Sequence, residues 1–210
     1  MKIKNLLIVA LLAVTVWGTL GVATSVKAAG DLLSVNETAG LVFMREEEKL
    51  AHDVYVTLYQ KWGLPVFNNI AKSESAHTSA VKVLLDRYGI ADPAAGNGVG
   101  EFTDPALQAL YNQLVEQGSK SLSDALKVGA AIEEIDIRDL ETRLAQTDRA
   151  DIELVYNNLK NASYNHLQAF TSTLQRQTGE TYTAQYLDEA SYTSAVNDST
   201  QRGGRRWGRR

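Results

Sequence analysis

The sequence contains no cysteine, which excludes disulfide bonds, thiolate metal sites and cysteine nucleophiles. Proline is scarce, with three in 210 residues, and there is little of the apolar–polar alternation that marks β-strands. The remaining composition, 44% apolar and 22% charged, is ordinary for one globular domain with a substantial core. These features predict an all-α protein.

A long apolar run lies at the N-terminus, from Leu6 to about Val22, and follows Lys2 and Lys4. Small residues come next, ending at Ala28, in the positions that a signal peptidase requires. We therefore predict a signal peptide over residues 1–28 and an exported protein that is periplasmic, extracellular or held at the cell surface. An uncleaved N-terminal membrane anchor is the alternative, because the run approaches the length of a short membrane span.

Charge is unevenly distributed along the chain. The whole chain carries −4, and leaving out the three lysines of the signal peptide and the five arginines of the last ten residues leaves −12 for residues 29–200. We predict that residues 191–210 form a disordered arginine-rich tail, for which anionic cell-surface polymers or lipids are the expected partners. No nucleic acid is expected to meet an exported protein, and the alternative is a solubilising end without a partner.

Capping signals divide the rest of the chain into helices. Ser34 and Glu37 have the spacing of a capping box, and Gly63, Gly89 and Gly179 are placed to end helices. The predicted helices span 34–61, 67–88, 105–117, 121–146 and 150–177, with a short helix around 185–191. Four long helices, with a short helix inside one long crossover, predict a ferritin-like four-helix bundle over residues 34–190.

Each long helix carries polar residues within its own apolar seam. A lone carboxylate in an apolar core is costly, and several carboxylates that meet there repel one another unless cations lie among them. Carboxylates and imidazoles without thiolates suit iron or manganese, with zinc as a further possibility. The seam residues are Glu48 in the first helix, Glu74 and His77 in the second, Glu133 or Glu134 in the third, and Ser163 and His166 in the fourth.

The spacing of these residues repeats. Glu74 and His77 are three residues apart, which places them on one helix face, and Ser163 and His166 have the same separation. Glu48 precedes Glu74 by 26 residues, and Glu134 precedes Ser163 by 29. Two helical hairpins of similar layout indicate an internal pseudo-twofold.

Four segments carry a family resemblance: "EKLAHDVY", "ESAH", "AIEEIDIRDL" and "SYNH". They resemble the metal-binding helices of the ferritin-like superfamily, which includes bacterioferritins and rubrerythrins, and the span 34–190 most closely resembles the DUF2202 domain family. The resemblance implies a dinuclear, di-iron-type site and a possible oxidoreductase of the ferroxidase or peroxide-reducing type, acting on dioxygen or peroxide. It leaves open whether the chain forms a homo-oligomer. The implied ligands are Glu48, Glu74, His77, Glu134 and His166.

One departure from the superfamily pattern bears on function. Ser163 stands where the pattern has a second glutamate, so the site is short of one carboxylate. Glu133, Asp136 and His52 are secondary candidates that could compensate. Two alternatives follow: a non-catalytic binding module with a degenerate metal site, or a surface-interaction protein that acts through its basic tail. Glu46 and Glu47 are expected on the solvated side of the first helix.

Overall fold

The computed structural model describes residues 32–197, and within that range it contains six α-helices and no β-strand. The prediction of an all-helical protein is therefore confirmed. The predicted signal peptide and the arginines of the tail lie outside the described residues. Within them, no helix has the length and apolar character needed to cross a membrane. The helices are α1 (Val35–Trp62), α2 (Pro65–Tyr88), α3 (Pro105–Gly118), α4 (Leu122–Leu144), α5 (Ala150–Thr178) and α6 (Glu189–Asn197).

The helix ends follow local sequence signals. Ser34 caps α1: its hydroxyl accepts from the Glu37 amide at 3.1 Å, and the Glu37 carboxylate accepts from the Ser34 amide at 2.7 Å. Gly63 and Gly89 end α1 and α2 with φ values of 64° and 68°. Only glycine adopts this left-handed conformation without a steric cost, so these helices end where the sequence predicts.

The four long helices pack as two hairpins. The α1–α2 hairpin meets the α4–α5 hairpin through α1 against α4 and α2 against α5. Three aromatic rings join the hairpins at the core, with Phe170 lying 5.0 Å from Tyr55 and 5.5 Å from Phe67 between centroids. Gly129 on α4 permits this packing, because a Cβ there would lie 2.6 Å from the Phe170 ring.

The crossover segment between α2 and α3, residues 89–104, and α3 itself together cover one face of α1. Glu46 accepts hydrogen bonds from the backbone amides of Thr103 and Asp104, at 2.6 and 3.0 Å. Lys49 donates to the carbonyl oxygens of Gly98 and Glu101, at 2.7 and 3.1 Å. The consequence is that this face of α1 is buried.

The expectation that Glu46 and Glu47 face solvent is wrong, since their exposed fractions are 2% and 6%. The reason is that the crossover folds back over α1, which brings backbone amides and a second layer of side chains onto that face.

The C-terminal helix also differs from its prediction. It lies at Glu189–Asn197 rather than around 185–191, so residues 191–197 belong to a helix and not to the predicted disordered tail. Gln168 on α5 donates from Nε2 to the carbonyl oxygen of Val196 at 2.8 Å, and Ala195 is buried. Docking against α5 extends the ordered part of the chain beyond residue 190.

Candidate metal centre

Two groups of carboxylate and imidazole side chains meet between the hairpins. In each group, one ligand atom per residue lies within 4.8 Å of the others. The first triad is Glu48, Glu74 and His77, and the second triad is Glu74, Glu133 and His166. All four long helices contribute, and Glu74 belongs to both triads.

Glu74 divides its two oxygens between the histidines. Oε2 lies 2.7 Å from Nδ1 of His77, and Oε1 lies 2.8 Å from Nδ1 of His166. The first contact is a hydrogen bond, whereas the second, although as short, lacks hydrogen-bond geometry. The imidazole rings stack at 5.6 Å between centroids. A carboxylate that presents one oxygen to each of two imidazoles has the arrangement of a bridging ligand.

The remaining carboxylates of the triads approach the same imidazole nitrogens. Glu48 Oε2 lies 3.2 Å from Nδ1 of His77, and Glu133 Oε2 lies 3.4 Å from Nδ1 of His166. Glu48 and Glu133 have exposed fractions of 1% and 2%. Each Nδ1 therefore faces two buried carboxylates.

The histidines hold protons in the metal-free protein. Burial opposes their ionisation, but the carboxylates outweigh it and raise the pKa of His77 to about 11 and that of His166 to about 10. Burial also disfavours ionised Glu74, yet the two histidines lower its pKa to about 2. By contrast, burial raises the pKa of Glu133, and burial together with the charge of Asp136 raises the pKa of Glu48 well above its usual range. The centre thus holds more carboxylates than its two histidines can neutralise.

Two residues outside the triads orient the ligands. The Tyr55 hydroxyl on α1 donates to Oε1 of Glu133 on α4 at 2.6 Å, in a fully buried position. The hydroxyl of Ser73 lies 3.3 Å from Nε2 of His77, one turn earlier on α2. Such contacts select the nitrogen and the carboxylate oxygen that remain free to bind a metal.

Ser163 and Asp136 form a pair beside the triads. The Ser163 hydroxyl bonds to Oδ2 of Asp136, while Oδ1 of Asp136 has no hydrogen-bond partner. Both residues are buried. Burial and the charge of Glu133 raise the pKa of Asp136 to about 8, despite the hydrogen bond from Ser163. Asp136 thus places a carboxylate next to Ser163, the position at which the resemblance implies a glutamate.

The structure does not bring Glu134, the implied ligand of the third long helix, to the triads. Glu134 is fully buried but turned away from the triads, where Oε2 accepts from the backbone amides of Gln185 and Tyr186 at 2.8 and 2.7 Å. Glu133, a secondary candidate, takes its place. A signal for this was present in the sequence. Leu126, Ala130, Ile137 and Leu140 are spaced by 4, 7 and 3 residues. Glu133, unlike Glu134, divides the gap of seven so that the spacing alternates between 4 and 3 throughout.

His52 does not join the centre. Its Nδ1 lies 2.8 Å from Oδ1 of Asp53, and its side chain is 28% exposed. Position i+4 from Glu48 placed it near the same helix face, but the ring turns outward. The structure therefore brings together Glu48, Glu74, His77, Glu133 and His166, with Asp136 and Ser163 alongside.

Comparison with known proteins identifies the family. The model of a family described as an uncharacterized protein domain, DUF2202, matches residues 37–199. The chain belongs to the DUF2202 family. The matched span extends the predicted domain limit of residue 190 to include α6, in agreement with the packing of that helix on α5.

This DUF2202 protein is similar over most of its length to a curated protein and to a crystal structure. It is 50% identical over 171 residues to an uncharacterized protein, MJ0754, of Methanocaldococcus jannaschii, covering 81% of this chain and 92% of that protein. It is also similar to the crystal structure of the hypothetical protein MJ0754 from Methanococcus jannaschii, with a TM-score of 0.78 and 48% identity. That match covers 84% of this chain and 99% of the crystallised one.

Proposed function

We propose that this DUF2202 protein is a ferritin-like protein that binds a pair of metal ions, with iron preferred, one at each triad. The observation that carries the proposal is the position of Glu74, which lies between two histidines and belongs to both triads. Two hairpins that contribute equivalent helices around a shared carboxylate are the arrangement expected of a dinuclear centre in a helical bundle.

The chemistry of the donors fits iron. Three carboxylates and two imidazoles, without sulfur, suit iron and manganese, and zinc is the further alternative. Oε1 of Glu48 is buried without a hydrogen-bond partner, and Oε1 of Glu74 has only its ion pair with Nδ1 of His166. Buried polar atoms rarely remain unpaired, so a cation beside them would satisfy atoms that the protein leaves unsatisfied.

The side chains around the triads would support redox chemistry. Bound iron would supply the change of oxidation state needed for Fe²⁺ oxidation or for reduction of peroxide or dioxygen. Tyr55 would hold Glu133 in place by its hydrogen bond, and Ser73 would fix the ring of His77. The Phe67 and Phe170 rings behind Tyr55 are fully buried and exclude water from that side. The predicted signal peptide supports an exported location for this activity.

The proposal is tested by metal content after anaerobic reconstitution with Fe²⁺. After gel filtration to remove weakly held ions, the wild type should hold two irons per chain by mass spectrometry, and the double variant Glu74→Ala/His77→Ala should hold none. His52→Ala is the matched control, because it removes the histidine that lies outside the triads, and it should retain both irons. A folded wild type without bound iron, or a double variant with the same iron content, would contradict the proposal.

A second candidate is a non-catalytic binding module with the same centre. Ser163 favours it, because its hydroxyl bonds to Asp136 and supplies no carboxylate to either triad. Iron-loaded protein that consumes neither Fe²⁺ with dioxygen nor peroxide would support this candidate over the redox function. Fe²⁺-dependent consumption that is lost in the Glu74→Ala/His77→Ala variant would exclude it.

A further inference from the structure

Three consecutive glutamates of α1 are buried, and they have different surroundings. Both oxygens of Glu46 accept backbone hydrogen bonds from the crossover, and Glu48 belongs to the first triad. Glu47 has neither role. It is 6% exposed, and its Oε2 has no hydrogen-bond partner. The triads and the fold therefore leave this buried carboxylate unexplained.

Glu47 shares a small cavity with Asp136, a second buried carboxylate that has an oxygen without a hydrogen-bond partner. The cavity has a volume of about 10 Å³, and both Glu47 on α1 and Asp136 on α4 line it. Asp136 is 7% exposed, and its Oδ1 has no hydrogen-bond partner. Leu110 and Leu114 of α3 close the outer side. A volume of this size holds one water-sized occupant.

The electrostatic surroundings of Glu47 are acidic. The charged groups that act on it most strongly are the carboxylates of Asp139, Asp136 and Glu48. Burying carboxylates next to one another is costly unless a cation or a proton lies between them. An ion in the cavity would meet an unpaired oxygen from each of two helices.

We propose that Glu47 and Asp136 form a third cation position, distinct from the two triads and suited to a divalent ion with oxygen ligands. It rests on the proposed function, because Glu48 connects it to the first triad. Hard divalent cations bind carboxylate oxygens, so an ion held by Glu47 and Asp136 would be bound more weakly than one at a triad. Its position between the surface and the pair makes it a relay through which ions reach the triads.

The route to the surface passes through Asp139. This residue lies one turn beyond Asp136 on α4, and its charge acts on Glu47. Its side chain is 22% exposed and pairs with Arg138 at 3.0 Å. Carboxylates that influence one another thus extend from the half-buried Asp139, past Glu47 and Asp136, to Glu48.

The test compares iron stoichiometry and loading rate in four proteins: the wild type, Glu47→Gln, Asp136→Asn and Glu116→Gln. Glutamine and asparagine keep the shape of the side chain and remove its charge. Glu116 is an exposed glutamate of α3, so its variant is the matched control for loss of one charge. Each protein is titrated anaerobically with Fe²⁺ until bound iron per chain stops rising, and circular dichroism verifies folding.

We expect three irons per chain in the wild type and in Glu116→Gln, and two in Glu47→Gln and in Asp136→Asn. Loading of the remaining two should slow at least severalfold in both cavity variants. Two irons in the wild type with unchanged loading in the variants would overturn the third position and leave the pair intact. Three irons in Glu47→Gln would overturn its assignment, and no iron in the wild type would overturn the pair as well.

Discussion

Oε1 of Glu74 on α2 lies 2.8 Å from Nδ1 of His166 on α5, so the two hairpins touch through a carboxylate and an imidazole. The other oxygen of Glu74 bonds to His77 on its own helix. Glu74 therefore has a role that no other acidic residue of the triads shares. It connects both triads, whereas Glu48 and Glu133 each serve one.

This difference predicts unequal effects of removing single carboxylates. Glu74→Gln should abolish tight binding of both metal ions, because glutamine has one oxygen acceptor where two are needed. Glu133→Gln should weaken the second triad and retain the ion at Glu48 and His77. Tightly bound iron per chain should be near zero in the first variant and near one in the second. Equal losses in the two variants would refute the bridging role of Glu74.

The hydrogen bond from Tyr55 to Glu133 predicts an effect on the second triad alone. Tyr55→Phe removes the donor and leaves the ring in the aromatic cluster. Loss of such a supporting contact typically lowers metal affinity by about 10- to 100-fold. Iron titration followed by calorimetry should show one weakened binding step and one unchanged step. Weakening of both steps would point to general loosening of the core instead.

Metal binding should release protons near neutral pH. The pKa values of about 11 for His77 and about 10 for His166 mean that both rings are protonated in the metal-free protein. A metal ion binds the unprotonated nitrogen, so protons compete with it, and affinity should rise as the pH increases toward these values. The expected gain is up to about tenfold per pH unit for each triad. Calorimetry at pH 7 in buffers of different ionisation enthalpy should detect the released protons, and identical heats in all buffers would contradict this assignment.

Glu134 should matter for stability and not for metal binding. Glu134→Leu leaves the backbone amides of Gln185 and Tyr186 without their charged acceptor and should reduce the free energy of unfolding by about 1–3 kcal/mol. Glu134→Gln keeps an acceptor oxygen and should cost less. Urea denaturation measures both, and iron stoichiometry should equal that of the wild type. Loss of iron in Glu134→Gln would restore Glu134 as a ligand.

The attachment of the crossover to α1 depends on Glu46. In Glu46→Gln, an amide nitrogen replaces one of the two oxygens that accept from Thr103 and Asp104, so one backbone N–H loses its charged acceptor. We expect a loss of about 1–3 kcal/mol in the free energy of unfolding. Hydrogen exchange should also accelerate at these two amides. Glu116→Gln, on the exposed face of α3, should change neither measurement.

Much of the secondary structure could be predicted because it depends on neighbouring residues. The Ser34 capping box and the glycines at 63, 89 and 179 act over one helical turn, and the observed helix ends lie close to the predicted ones. The inward direction of Glu48, Glu74 and His166 was also readable, since each interrupts an apolar stripe on its own helix. Periodicity alone reveals which face of a helix is buried.

The choice between Glu133 and Glu134 shows where resemblance misled and periodicity would have helped. Both residues are buried, so burial does not distinguish them. The stripe of α4 leads to Glu133, whereas Glu134 faces residues 185 and 186, which follow it by about fifty positions. Glu134 accepts hydrogen bonds from a distant segment, and the sequence pattern does not reveal where that segment packs.

By itself, the sequence determined the all-helical class, the limits of most helices, and a set of carboxylates and histidines near the middles of four of them. Those features arise from hydrogen bonds and side-chain spacing within a few residues. Only the tertiary structure decided that Glu74 is shared between two histidines, that Glu134 turns to the amides of residues 185 and 186, and that Glu47 is buried with Asp136. These outcomes depend on how the crossover, α3 and the C-terminal segment pack onto the hairpins, and such contacts join residues too distant in sequence for local patterns to specify.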